Sequence, residues 1–90
     1  MAEFTRDEVI QVVEDGRKCR GANLQYIDLS RADLREANMN DALLWNADLT
    51  GTDLSGANLW KANLSGAVYD ANTQWPEGFN PEAAGAALYT

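Results

Sequence analysis

The chain has no histidine, so no imidazole base and no nucleophile–histidine pair can form within it. Its one cysteine, Cys19, excludes an internal disulfide, and the fold need not mature in an oxidising compartment. Cations are scarce: seven Lys and Arg stand against fourteen Asp and Glu, a net charge of -7. Clustered basic residues that would follow a nucleic-acid backbone are therefore missing, and direct nucleic-acid binding is not expected. No apolar run approaches the ~20 residues of a membrane span, and the Met1 end lacks a charged-then-apolar leader pattern. The expected location is cytoplasmic, without a membrane partner. An apolar fraction of 46% is too high for a disordered acidic tail. Ninety residues make one domain, 1–90, small enough to be marginal unless its core is organised efficiently.

A five-residue repeat supplies that organisation. Cys19, Leu24, Leu29, Leu34, Met39, Leu44, Leu49, Leu54, Leu59 and Leu64 fall five apart without a break, and Tyr69 extends the series. Alanine dominates two positions before each of these central residues. Asn or Asp stands one position before most of them, with Leu43 and Val68 as exceptions. Gly21, Gly51, Gly56 and Gly66 occur two positions after.

Neither ordinary element accepts this period. A five-residue step on an α-helix is about 500°, or about 140° net, which scatters the leucines around the cylinder. On a straight strand, residues five apart point to opposite faces. The leucines share one interior only if the chain turns a corner in every repeat. Gly, Asn and Asp suit such corners, because they accept turn geometry or bond locally to the backbone.

Quintets such as ANLQY, IDLSR, ADLRE, ADLTG and ANLSG resemble the pentapeptide-repeat family, over residues 17–71. The resemblance implies an all-β fold, a right-handed quadrilateral β-helix with four quintets per coil. Eleven quintets then make about 2.75 coils, a stack about 13 Å tall at ~4.8 Å per strand.

Both ends read as caps. Residues 4–16 form an amphipathic helix: Thr5 and Glu8 have capping-box spacing, Phe4 and Val9 staple spacing, and Gly16 suits the stop. Its stripe of Val9, Ile10, Val12 and Val13 is expected to cover the first coil; docking to a partner or dimerising is the alternative. Residues 72–90 leave the period. Thr73-Gln74-Trp75-Pro76-Glu77-Gly78-Phe79-Asn80-Pro81 resembles a tail that follows the repeats in cyanobacterial pentapeptide proteins and lies over the last coil. Trp75 and Phe79 would hide its unpaired edge. Residues 82–89 read as a short helical or irregular end.

No catalytic, cofactor-binding or metal site is assigned. Cys19 occupies an inward position and reads as a small hydrophobe; flanking Arg17, Lys18 and Arg20 would activate it only if it were exposed. Twenty residues per coil stack Asp28 on Asp48 and Asp33 on Asp53, where each carboxylate is expected to cap its own turn; Ca²⁺ is the alternative, without a dedicated loop. The same stacking places Lys61 over Asp41 as an exposed ion pair. The sharpest departures from the repeat are outward Leu43, Trp45 and Trp60, because tryptophan is enriched at binding hot spots. They form the candidate partner surface. The expectation is a non-catalytic structural or interaction module, monomeric or weakly dimeric, whose partner is another protein. The alternative, implied by the resemblance and by the acidic charge, is a DNA mimic that binds a topoisomerase such as gyrase. A 13 Å stack matches only about four base pairs of duplex, however.

Overall fold

One backbone conformation recurs every five residues and sets the architecture. Tyr26, Arg31, Glu36, Asp41, Asn46 and Lys61 have φ between 58° and 64°, and Gly21, Gly51, Gly56 and Gly66 lie between 67° and 72°. All ten stand two positions after a central residue. Each forms the third residue of a turn closed by a backbone bond, such as Ile27 N–H to Leu24 O (3.2 Å) and Ala32 N–H to Leu29 O (3.1 Å). Positive φ at this place is the geometry of a type II turn. Six side-chain-bearing residues accept it at ~1–2 kcal/mol each. The amides of five of them, all but Lys61, gain ladder bonds in return, as in Tyr26 N–H to Trp45 O and Arg31 N–H to Thr50 O, both 2.8 Å.

The structure, a computed structural model, describes residues 4–16 and 18–89. Its walls are parallel bridges at a step of twenty: Asn23–Leu43–Asn63, Asp28–Asp48–Val68 and Asn38–Asn58. Four corners therefore complete one coil. The ladder bonds are short, for example Leu24 N–H to Leu43 O (2.7 Å) and Leu49 N–H to Val68 O (2.7 Å). Each bridge is too brief to count as a strand, so the regular elements are few: helix α1 (Arg6–Glu14) and strands β1 (Val68–Tyr69) and β2 (Ala87–Leu88).

The central residues fill the axis. Leu24, Leu29, Leu34, Met39 and Leu64 are fully buried, Leu44, Leu49 and Leu54 almost so, and Cys19 and Leu59 keep a small exposure. Alanines such as Ala42, Ala47 and Ala67 complete the interior. Thr52 takes an alanine position, and its buried hydroxyl donates to Leu29 O at 2.7 Å.

Helix α1 is shorter than the 4–16 span expected from sequence. Its capping box is formed: the Thr5 N–H donates to Glu8 Oε1 (2.8 Å) and the Glu8 N–H to Thr5 Oγ1 (3.2 Å). Gly16, at φ 74°, turns the chain out of the helix. Val9 is buried in the common core, with Ile10, Val12 and Val13 packed against it. Arg6 ties the helix to the first coil through Asp28, donating to its backbone carbonyl at 3.0 Å.

The tail differs from expectation in three places. Trp75 and Phe79 do not hide the whole unpaired edge of the last coil: the amides of Leu59 and Lys61 have no hydrogen-bond partner among the described residues, because the chain crosses at Pro76–Phe79 rather than running alongside. Thr73–Trp75 returns to the ladder after one extra residue: Asp53 bridges Gln74, a step of twenty-one. The additional residue sits between Tyr69 and Thr73, and the Asp70 carboxylate accommodates it. Asp70 Oδ1 accepts the Gly51 N–H at 3.0 Å, the amide that a carbonyl of the next coil would otherwise take, and the Asn72 N–H at 3.0 Å. Residues 82–89, expected to be a short helical or irregular end, are irregular except for two residues that join a sheet. The chain turns at Pro81–Gly85, and β2 then pairs in parallel with β1, Val68 with Ala87 and Tyr69 with Leu88. Gly85 permits this approach, since a Cβ there would lie 3.3 Å from the Ser65 Cα. Trp75 packs edge-on to Tyr69 (5.4 Å between centroids) and stacks on Phe79 (5.2 Å).

Candidate partner surface

The residue after each central position is the second residue of its turn and is half-buried or exposed. Trp45 and Trp60 hold this place, with 38% and 62% of their surface exposed. They border one wall, the Asn23–Leu43–Asn63 bridge line. Trp60 stands at the corner where that wall begins and Trp45 at the corner where it ends. Leu43, half-buried, lies in its middle row. The Lys61 ammonium sits 4.5 Å from the Trp60 ring centroid, a cation–π contact. Asp41 pairs instead with Arg20, at 3.8 Å. The expected Lys61–Asp41 pair is therefore replaced, because the tryptophan face holds the lysine.

Leu43 also interrupts a pattern of local bonds. Elsewhere the Asn or Asp before the central residue accepts the backbone N–H two residues on: Asn63 from Ser65 (3.0 Å), Asn58 from Trp60 (3.0 Å), Asp48 from Thr50 (3.0 Å), Asp53 from Ser55 (3.0 Å). Hydroxyls add to several of these, as in Ser30 Oγ to Asp28 at 2.6 Å. Leucine cannot accept the Trp45 N–H in this way. The wall exchanges a turn-fixing polar group for apolar surface.

The acidic columns are occupied by these turn bonds. Hydrogen bonds from the Ser30 hydroxyl and backbone hold the Asp28 carboxyl below its ordinary range, with Arg6 adding a smaller attraction. The Arg35 guanidinium does the same for Asp33, donating at 2.9 Å to both carboxylate oxygens. Among the described residues, no group of three or more His, Cys, Asp or Glu is placed to hold a metal ion.

Cys19 is 6% exposed, and burial pushes its thiol up, away from the thiolate a nucleophile needs. It lines a pocket of about 270 Å³ between α1 and the first coil, with Phe4, Val9, Val12, Lys18 and Arg20 around it. Arg17, also expected near this thiol, lies outside the described residues. No helix among the described residues is long and apolar enough to cross a membrane.

The family model for pentapeptide repeats (8 copies) matches residues 18–44 and 40–68. A solved pentapeptide repeat protein, Rfr23 from the cyanobacterium Cyanothece 51142, is 42% identical with a TM-score of 0.60, over 61% of this chain and 37% of that one. The chain thus covers little more than a third of that protein. A second, alr5209 from Nostoc Pcc 7120, is 28% identical over 94% of this chain and 96% of that one, with a TM-score of 0.45. No curated protein matches the chain. The repeats and the likeness to Rfr23 make the coil a right-handed β-helix.

Proposed function

Because the chain belongs to the pentapeptide-repeat family, whose model matches more than half of it, we propose that it is a non-catalytic interaction module. In this reading a quadrilateral β-helix of about three coils is capped by α1 at one end and by the Trp75–Phe79 turn at the other. It presents Leu43, Trp45 and Trp60 to a partner protein in the cytoplasm. The observation that carries the reading is the exposure of both tryptophans beside a leucine that replaces the turn-forming Asn or Asp. Aromatic side chains on a rigid wall lose little entropy on binding and are typical anchors. The module itself is monomeric or weakly dimeric.

The test compares wild type with the Trp45→Ala/Trp60→Ala double variant as bait in the native host, after matching their thermal melts. A partner recovered by the wild type and lost with the variant supports the surface. Equal recovery of every partner rejects it.

The DNA-mimic reading has less support. Net charge has the right sign, but the molecule measures 31 × 27 × 22 Å. At ~3.4 Å per base pair, its longest dimension matches about nine pairs, and its shape is a block rather than a rod. Inhibition of gyrase supercoiling by the purified protein would revive that reading.

A further inference from the structure

The last coil ends in an open edge. In the coil below, every ladder group on this wall is paired: Met39 N–H to Asn58 O (2.8 Å), Asp41 N–H to Trp60 O (2.9 Å), and Asn58 N–H to Ala37 O (2.8 Å). One coil later, the amides of Gly56, Leu59 and Lys61 and the carbonyl of Ala57 have no hydrogen-bond partner among the described residues. The tail leaves this wall uncovered because it crosses from Trp75 through Pro76–Phe79 instead of running alongside it. A groove of about 550 Å³ separates the edge from that turn.

The groove specifies its occupant. Its floor offers three amide donors and one carbonyl, spaced as in the coil below, so the complementary group is an extended peptide backbone running parallel to the wall. A residue over Asn58 would donate to Ala57 O and accept from Leu59 N–H. The carbonyl two residues later would accept from Lys61 N–H, and the carbonyl three residues earlier from Gly56 N–H. The side chain following that residue would stack over Leu59, as Leu59 stacks over Met39, beside Phe79. Charge sets direction. The Glu36 carboxylate lies against Gly56, and Glu77 lines the same groove, whereas Lys61 stands at the far end.

We infer that the Gly56–Lys61 edge docks an extended segment of a partner protein, basic at its N-terminal end, apolar over Leu59 and acidic toward its C-terminal end. This goes beyond the tryptophan wall. Trp60 lines the groove as well, but the peptide is read through backbone groups of Gly56–Lys61, so either site can fail without the other.

The probe is a capped heptapeptide, Lys-Ala-Thr-Asn-Leu-Ser-Glu, added to the uniformly labelled full chain and followed by amide chemical shifts and hydrogen exchange. In the free protein, Leu59 and Lys61 amides should exchange fast while Met39 and Asp41 amides stay protected. The peptide should shift and protect Gly56, Leu59 and Lys61. Methylating the nitrogen of its asparagine, which removes the donor to Ala57 O, should weaken binding about tenfold. Exchanging its lysine and glutamate should weaken binding as well. The proposal is overturned if Leu59 and Lys61 amides are already protected without peptide, whether by this chain or by self-association. It is overturned equally if the peptide does not bind at millimolar concentration, shifts other residues, or binds as well when methylated.

Discussion

Thr73 repeats, one coil on, what Thr52 does below it: its hydroxyl donates to Leu49 O at 2.8 Å, as that of Thr52 donates to Leu29 O at 2.7 Å. The equivalence places Thr73 in an alanine position of the repeat, although twenty-one residues separate the pair. Thr52→Val and Thr73→Val keep the volume and delete the bond. Thr52→Val should lower stability by about 1 kcal/mol. The cost stays modest because Leu29 O keeps a backbone donor, Ala32 N–H (3.1 Å). Thr73→Val should cost more, because the Thr73 hydroxyl also accepts the Asp70 N–H (3.1 Å), which would be left without an acceptor. Urea midpoints at constant slope would measure it, and an unchanged midpoint would contradict the buried bond.

Leu49 is 1% exposed on the axis, so Leu49→Asp should abolish the cooperative melt. A buried carboxylate without a partner is too costly for a domain this small. Leu49→Ala should retain the fold and lose ~2–5 kcal/mol. Circular dichroism against temperature distinguishes the outcomes.

Two glycines with the same conformation should respond differently to alanine. Gly21, at φ 67°, has open space where a Cβ would be, so Gly21→Ala should cost only the left-handed backbone penalty, about 1 kcal/mol. At Gly56, φ 72°, the new Cβ would overlap the Glu36 carboxylate. That carboxylate is the free end of an exposed side chain and can swing aside, so Gly56→Ala should cost only slightly more than Gly21→Ala, and Glu36→Ala should recover that small excess. A double-mutant cycle by chemical denaturation gives the coupling directly.

Acid should destabilise the fold through specific carboxylates. Asp70 is held below its ordinary range, chiefly by the Gly51 N–H, as Asp28 is by Ser30 and Asp33 by Arg35. A depressed folded value means that the unfolded chain binds protons first as pH falls. The stabilisation is complete above the unfolded value of about 4 and disappears as pH falls through the folded values. Asp70→Asn should melt lower at neutral pH and lose less stability on acidification. Melting temperatures from pH 7 to about pH 3 would show whether the two curves converge.

The periodic part of this architecture was legible because one constraint, a shared axis for residues five apart, admits few solutions. Leu24 through Leu64, the Asn and Asp turn bonds and the Thr5–Glu8 capping box all follow from local chemistry. Features involving an offset were harder to read. The six-residue gap between Tyr69 and Trp75 is visible in the sequence, but it reads as the end of the repeat. Only the Asp70 carboxylate, standing in for a carbonyl, shows how the ladder resumes. Strand β2 was hidden because Ala86–Tyr89 has no repeat signature and pairs with β1 through Gly85. Lys61 could satisfy either Asp41 or the Trp60 face, and spacing alone does not choose. The open Gly56–Lys61 edge depends on where the tail does not run, which no local motif reports. Of the outward residues, Trp45 and Trp60 were recognisable from their place in the turn, while Leu43 is more sheltered than its position suggested.

The twenty-residue register makes the length of this protein a quantised property. Duplicating residues 40–59 would insert one whole storey, raising the roof by ~4.8 Å while leaving the ground floor and the finial oriented as before. Duplicating a single quintet would add almost no height but rotate everything downstream by a quarter revolution, carrying the terminal strand away from Val68. Growth by gene duplication is thus neutral for orientation only in multiples of four quintets.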